Sequence, residues 1–291
     1  MMNKFEIITA LITPFKFNGK IDYLLLKKLI NFQIKNGIDS FVIFGTTGEG
    51  SLIPFQERVT TLRKVIKDFP LIHLYVGISG IDTVNMCKEA KVFSQEKIEG
   101  LLVLTPTYLR TNDLGVIAHF NKISEASKVP LILYTVPKRT GQTLALPTLN
   151  VLKQIENIKG IKDATDSEKY LKECLNYQEK NFVVYLGNDL MLLEGLRNHC
   201  DGLISVCSNA FPKTIKKIAK LFSDGFIDEA EALFDKYKKY FTLLFEEPNP
   251  IPIKYLMYHL NYSTKFYHLP LYYPSDDLIK KLKSEFIGDE I

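Results

Sequence analysis

The chain has 291 residues, enough for one large domain or two small ones, and its 46% hydrophobic and 24% charged residues suit a globular protein in water. A net charge of +4 is too small, and the basic residues too dispersed, for a nucleic-acid stacking surface. No stretch reaches the roughly 18 apolar residues of a membrane span and the N-terminus carries no secretory pattern, so a cytoplasmic protein without membrane or nucleic-acid partners is expected.

Short apolar runs alternate with longer amphipathic ones. Strands are expected over Ile7–Ile12, Ser40–Phe44, His73–Ile78, Gly100–Leu104, Leu131–Thr135, Ile158–Lys162, Val183–Leu186 and Leu203–Val206. They are rich in Val, Ile and Leu and nearly continuous in hydrophobicity, the pattern of parallel strands covered on both faces. Helices are expected over Asp22–Lys35, Pro54–Phe69, Thr83–Phe93, Asp113–Ala126, Pro147–Ile155, Ser167–Tyr177, Asp189–Asn198 and Ala210–Ser223. Eight such units, with no GxGxxG after the first strand, favour a (β/α)8 TIM barrel over a doubly wound open sheet. After about Asp224 only helices follow, over Ile227–Phe245, Pro250–Leu260 and Ser275–Ile287. The expected division is a catalytic barrel over residues 1–224 and a C-terminal helical extension over 225–291.

Cys87, Cys174, Cys200 and Cys207 form no CxxC pair, which suits reduced thiols in a cytosol. The five histidines form no HxxxH or HExxH pair, so no metal site is expected.

In a barrel of this kind the reacting groups come from the C-terminal ends of the strands. The sixth run ends in Lys162, followed by Asp163-Ala164-Thr165. A lysine within a buried strand either snorkels to water or has its pKa lowered by desolvation, which frees the amine to attack a carbonyl. The second run ends in Gly45-Thr46-Thr47-Gly48-Glu49-Gly50, either a carboxylate cradle of backbone N–H groups and hydroxyls or simply a tight turn. Tyr134, ending the fifth run, either carries a proton or plugs the core, and Arg139 beyond it either clamps a carboxylate or sits solvated in a loop. The seventh run supplies Gly187-Asn188-Asp189 and the eighth Ile204 and Ser205. Lysine, tyrosine, arginine and a Thr-Thr-Gly turn at one rim suit imine-forming aldolase chemistry, with no cofactor beyond the covalent imine.

Four motifs carry a family resemblance: Gly45-Thr46-Thr47-Gly48-Glu49, Tyr134-x-Val136-Pro137-x-Arg139-Thr140-Gly141, Gly160-Ile161-Lys162-Asp163 and Asn249-Pro250-Ile251-Pro252-Ile253-Lys254. In order and spacing they resemble the dihydrodipicolinate synthase / N-acetylneuraminate lyase family along nearly the whole chain. Arg139-Thr140-Gly141 and the Asn249–Lys254 segment resemble the synthase branch, which condenses pyruvate with L-aspartate 4-semialdehyde to 4-hydroxy-tetrahydrodipicolinate, on the path to lysine and diaminopimelate. The resemblance implies that Lys162 forms the imine with pyruvate and that Tyr134 moves the protons. It implies that Thr46 and Tyr108 complete the relay, Tyr108 from a neighbouring subunit. Thr47 and Ile204 would hold pyruvate through backbone groups, with Gly187 also at the substrate site, and Arg139 would receive the semialdehyde carboxylate. A homotetramer built as a dimer of dimers is implied too.

Several positions depart from the family pattern: Gly50, Thr107, Leu109 and Thr135. At the cleft where lysine-inhibited members bind lysine, the matching positions are Phe55, Arg58, Ile81 and Asn85, and the usual carboxylate becomes the neutral Asn85. Weak or absent lysine inhibition is therefore expected. Two other functions compete. A pyruvate-releasing lyase of N-acetylneuraminate or a 2-keto-3-deoxy sugar acid would keep Lys162 and Tyr134 but have no use for Arg139. A non-catalytic ligand-binding barrel would need neither.

Overall fold

The computed structural model describes residues 5–286. Eight strands, β1 (Glu6–Ala10), β2 (Ser40–Ile43), β3 (His73–Ile78), β4 (Gly100–Leu104), β5 (Leu131–Thr135), β6 (Ile158–Asp163), β7 (Val183–Leu186) and β8 (Gly202–Ser205), close into one barrel in sequence order. Every neighbouring pair is parallel, including β1 with β8. The helices are α1 (Tyr23–Lys35), α2 (Phe55–Asp68), α3 (Thr83–Phe93), α4 (Asp113–Ala126), α5 (Pro137–Thr140), α6 (Leu146–Leu152), α7 (Glu168–Leu175), α8 (Leu192–Arg197), α9 (Pro212–Ser223), α10 (Ile227–Leu243), α11 (Ile251–His259) and α12 (Asp276–Phe286).

The continuous hydrophobicity of the strands divides between two cores, because alternate strand residues point to opposite faces. Ile8, Ala10, Val42, Leu102, Ile132, Tyr134, Tyr185 and Ile204 fill the barrel interior. Phe41, Ile43, Leu101, Val103, Leu131, Leu133, Ile161 and Val184 face the helices. Lys162 belongs to the inward set: it lies in register with Tyr134 on β5 and with Tyr185 on β7.

Local chemistry sets the boundaries and accounts for the differences from the expected ones. The second strand stops at Ile43 because Phe44 takes a φ of 57° and turns the chain back. The turn that follows packs so closely that a Cβ on Gly50 would lie 1.8 Å from the Phe44 carbonyl oxygen. The expected helix from Asp189 is instead a 3₁₀ turn over Asp189–Met191 that passes into α8. A second such turn, Cys207–Asn209, delays α9 to Pro212, where proline costs no hydrogen bond. The short α5 falls in a stretch read as loop, and Gly141 ends it at a φ of 76°. Of the last expected helix, residue 287 lies outside the described residues.

Two groups of contacts stand out among those that fix the C-terminal helices to the barrel. Phe211, just before α9, meets Tyr237, Phe241 and Phe286 edge-on or tilted, with centroids 5.7 to 5.8 Å away. The other is an ion pair with no exposed side-chain surface, between Glu49 in the turn after β2 and Lys254 on α11. The Lys254 ammonium also donates to the Phe266 carbonyl at 3.0 Å and lies 4.6 Å from the centre of the Phe15 ring. Burial lowers its pKa, and Glu49 opposes that shift. Removing one member of such a pair strands a charge in a dry site. Lys254→Met should therefore lower the unfolding free energy by about 3–5 kcal/mol in a denaturant titration, and adding Glu49→Gln should restore most of the loss. A loss below about 1 kcal/mol for the single variant would mean the pair does not hold the turn to α11.

Candidate active site

A cavity of about 870 Å³ opens at the C-terminal ends of the strands, with Thr46, Thr47, Tyr134, Arg139, Lys162 and Gly187 in its walls. A groove of about 950 Å³ between α1, α9 and α10 is slightly larger, but six of its fourteen lining residues are aromatic and its two lysines, Lys213 and Lys236, are exposed. The chemistry therefore selects the barrel mouth.

Lys162 is 5% exposed, and its Nζ lies 4.5 Å from the centre of the Tyr134 ring. Among the described residues no carboxylate forms an ion pair with it. Desolvation brings its pKa down to about 8; the Arg139 charge adds to the shift and the Asp189 charge opposes it. At pH 7 that leaves about one amine in ten neutral, against about one in three thousand for an ordinary lysine. Gly187 provides the room for the side chain, since a Cβ there would stand 2.8 Å from Lys162 Cε. Burial raises the pKa of the Tyr134 phenol, and the Arg139 charge and the Thr46 hydroxyl pull it partly back. The resting phenol thus holds its proton at neutral pH, ready to donate it.

The anion-binding side is linked through Asn249. Its amide donates to Thr47 Oγ1 at 3.0 Å, and its carbonyl accepts from Arg139 Nη2 at 2.7 Å. Arg139 is thereby steadied from one side. Ile204 is buried in the barrel interior, and Val206 of the same segment reaches the cavity wall instead. Tyr108 is 83% exposed, has a φ of 68° and stands outside the cavity of its own chain.

One residue of the site had little sequence signal. Asp189 is fully buried, where its carboxylate accepts from the Ser205 hydroxyl, from Val206 N at 2.9 Å and from Cys207 N at 3.3 Å. It fixes the turn after β8 and places a negative charge within reach of Lys162. An Asn-Asp step at a strand end reads equally well as a helix cap, so only the three-dimensional contacts reveal this role. Among the described residues no three His, Cys, Asp or Glu side chains are grouped to hold a metal, and no helix is long and apolar enough to cross a membrane.

Comparison with known proteins identifies relatives in sequence and in fold. The 4-hydroxy-tetrahydrodipicolinate synthase of Chlorobium phaeobacteroides is 35% identical over 283 residues, covering 96% of this chain and 96% of that protein. The crystal structure of dihydrodipicolinate synthase from Aquifex aeolicus superposes with a TM-score of 0.93 at 29% identity, over 97% of both chains. The chloride-inhibited dihydrodipicolinate synthase from Acinetobacter baumannii, solved in complex with pyruvate, gives a TM-score of 0.91 at 30% identity, over 98% of this chain and 97% of that one. The sequence profile of the dihydrodipicolinate synthetase family matches residues 3–286, and the chain belongs to that family.

Proposed function

We propose that this chain condenses pyruvate with L-aspartate 4-semialdehyde through an imine on Lys162, giving 4-hydroxy-tetrahydrodipicolinate. The observation that carries this reading is the inward, desolvated amine of Lys162 held over the Tyr134 ring. The neutral amine attacks the pyruvate ketone and water leaves, forming the iminium. Loss of a proton from the pyruvate methyl gives the enamine, whose terminal carbon attacks the aldehyde. Tyr134 gives its proton to the new alkoxide and recovers one from the steps that release protons, with Thr46 beside it. The amino group of the second substrate then displaces Lys162 from the imine carbon, closing the ring and freeing the enzyme. Thr47 and the turn around it suit the pyruvate carboxylate, and Arg139 the second carboxylate.

Self-association is part of the proposal. Ile81, Val84, Tyr108, Leu109 and Leu114 are all more than 60% exposed, more apolar surface than an isolated chain favours. Three of the four thiols are buried and all are free, which suits a reducing compartment.

Borohydride added with pyruvate should attach one reduced pyruvyl group, located to Lys162 by peptide mass spectrometry and absent in Lys162→Ala. An unchanged protein mass would overturn the reading, and turnover of a keto sugar acid without condensation on the semialdehyde would select the lyase instead. The initial rate of trappable imine should rise about tenfold per pH unit and level near the Lys162 pKa of about 8, since only the neutral amine attacks. A rate still climbing at the pKa of a free lysine would contradict the desolvation argument.

Lysine should inhibit weakly or not at all. Arg58 is buried, donates from Nη1 and Nη2 to the Glu89 carboxylate, and lies near the rings of Phe55 and Phe93. The Asn85 amide donates to Asp82 Oδ2 at 2.8 Å, and Ile81 offers only hydrocarbon. Glu89 and Asp82 each already hold a partner within the chain. Millimolar L-lysine should leave the steady-state rate unchanged, and strong inhibition at submillimolar lysine would refute this.

A further inference from the structure

The second substrate proposed above carries an aldehyde, a carboxylate and an ammonium group. Arg139 answers the carboxylate, and no residue discussed so far answers the ammonium. We propose that Asp166 does, as the residue that selects an amino-bearing aldehyde over its deamino analogue; this rests on the functional reading above.

Asp166 lies four residues beyond Lys162 and forms part of the same cavity wall as Lys162 and Arg139. Its Oδ1 accepts from Asn188 Nδ2 at 2.6 Å and its Oδ2 meets Lys138 Nζ at 2.5 Å. The carboxylate thus already binds an ammonium ion at the cavity edge. Lys138 is 76% exposed on its side chain, and an ion pair that open to water contributes little. A substrate ammonium can take the place of Lys138 at little cost, while Asn188 keeps the carboxylate oriented. Lys138, Arg139 and Asp166 all line this one cavity, so a substrate bound there has both a cationic and an anionic side chain in its wall.

The cavity wall has two other carboxylates, Glu246 and Glu247, from the segment after α10. Glu246 is bound to Lys281 of α12, and Glu247 accepts from Ser275 N at 2.9 Å. Asp166 is the one of the three that follows directly from the strand bearing Lys162. Its backbone φ of 59° is rare outside glycine, and the chain tolerates it while keeping a carboxylate at this point of the wall.

The test compares Asp166→Asn, Asp166→Glu and the unmodified protein in steady-state assays. With aspartate semialdehyde, Asp166→Asn should raise KM about tenfold to a hundredfold, the loss expected for a charge-assisted hydrogen bond, with kcat changed far less. The inhibition constant of succinate semialdehyde, which lacks the amino group, should stay within about twofold, and Asp166→Glu should recover part of the lost affinity. An equal loss of affinity for both aldehydes, or no loss for either, would overturn the assignment. Failure of the unmodified protein to condense aspartate semialdehyde, with pyruvate still trapped on Lys162, would instead overturn the functional reading and this assignment with it.

Discussion

The site depends on burying one ammonium-forming side chain inside a closed sheet without giving it a contact counter-ion. Surrounded by barrel interior, Lys162 loses hydration that no carboxylate replaces at hydrogen-bond distance, so its charged form is disfavoured. Asp189 limits the effect: it is near enough to register, yet its oxygens are committed to Ser205 and to two backbone amides. A direct ion pair would have kept the amine protonated, and a more distant carboxylate would have let its pKa fall further.

The strands alone do not make the site. The turn after β2 supplies Thr46 and Thr47, and it is anchored by a segment about two hundred residues later: Glu49 to Lys254, and Thr47 to Asn249. Asn249 also holds Arg139, so one short segment before α11 sets the distance between the two anion-binding positions. The C-terminal helices therefore act on the mouth of the barrel without supplying a reacting group.

Much of this was legible in the chain, because parallel strands and desolvated nucleophiles leave local signatures. Eight apolar runs with helices between them gave the barrel, and a lysine at the end of one run gave the buried amine. Tyr134, Thr46, Thr47, Arg139 and Gly187 line one cavity with Lys162; Tyr108, expected to serve a neighbouring subunit, is exposed outside it, and the side chain of Ile204, expected to act through its backbone, lies in the interior cluster. The importance of Gly187 could be guessed, but not its reason, since the close approach to Lys162 Cε joins two strands. Asp189 was placed at the rim, but its tie to Ser205 and the turn after β8 stayed illegible: a carboxylate in a turn looks like a cap until its distant partners are known.

The seam between β1 and β8 has a consequence for the newborn polypeptide. The last strand is tied to the first by Asn209, which donates to the Ala10 carbonyl and accepts from Ile12 N, and by a hydroxyl chain from Ser208 through Thr9 to Gln33. Until that final stretch leaves the ribosome the cylinder stays open, and the amine at position 162 is wet, charged and inert. Closing the cylinder is thus what withdraws that amine from water and lowers its pKa.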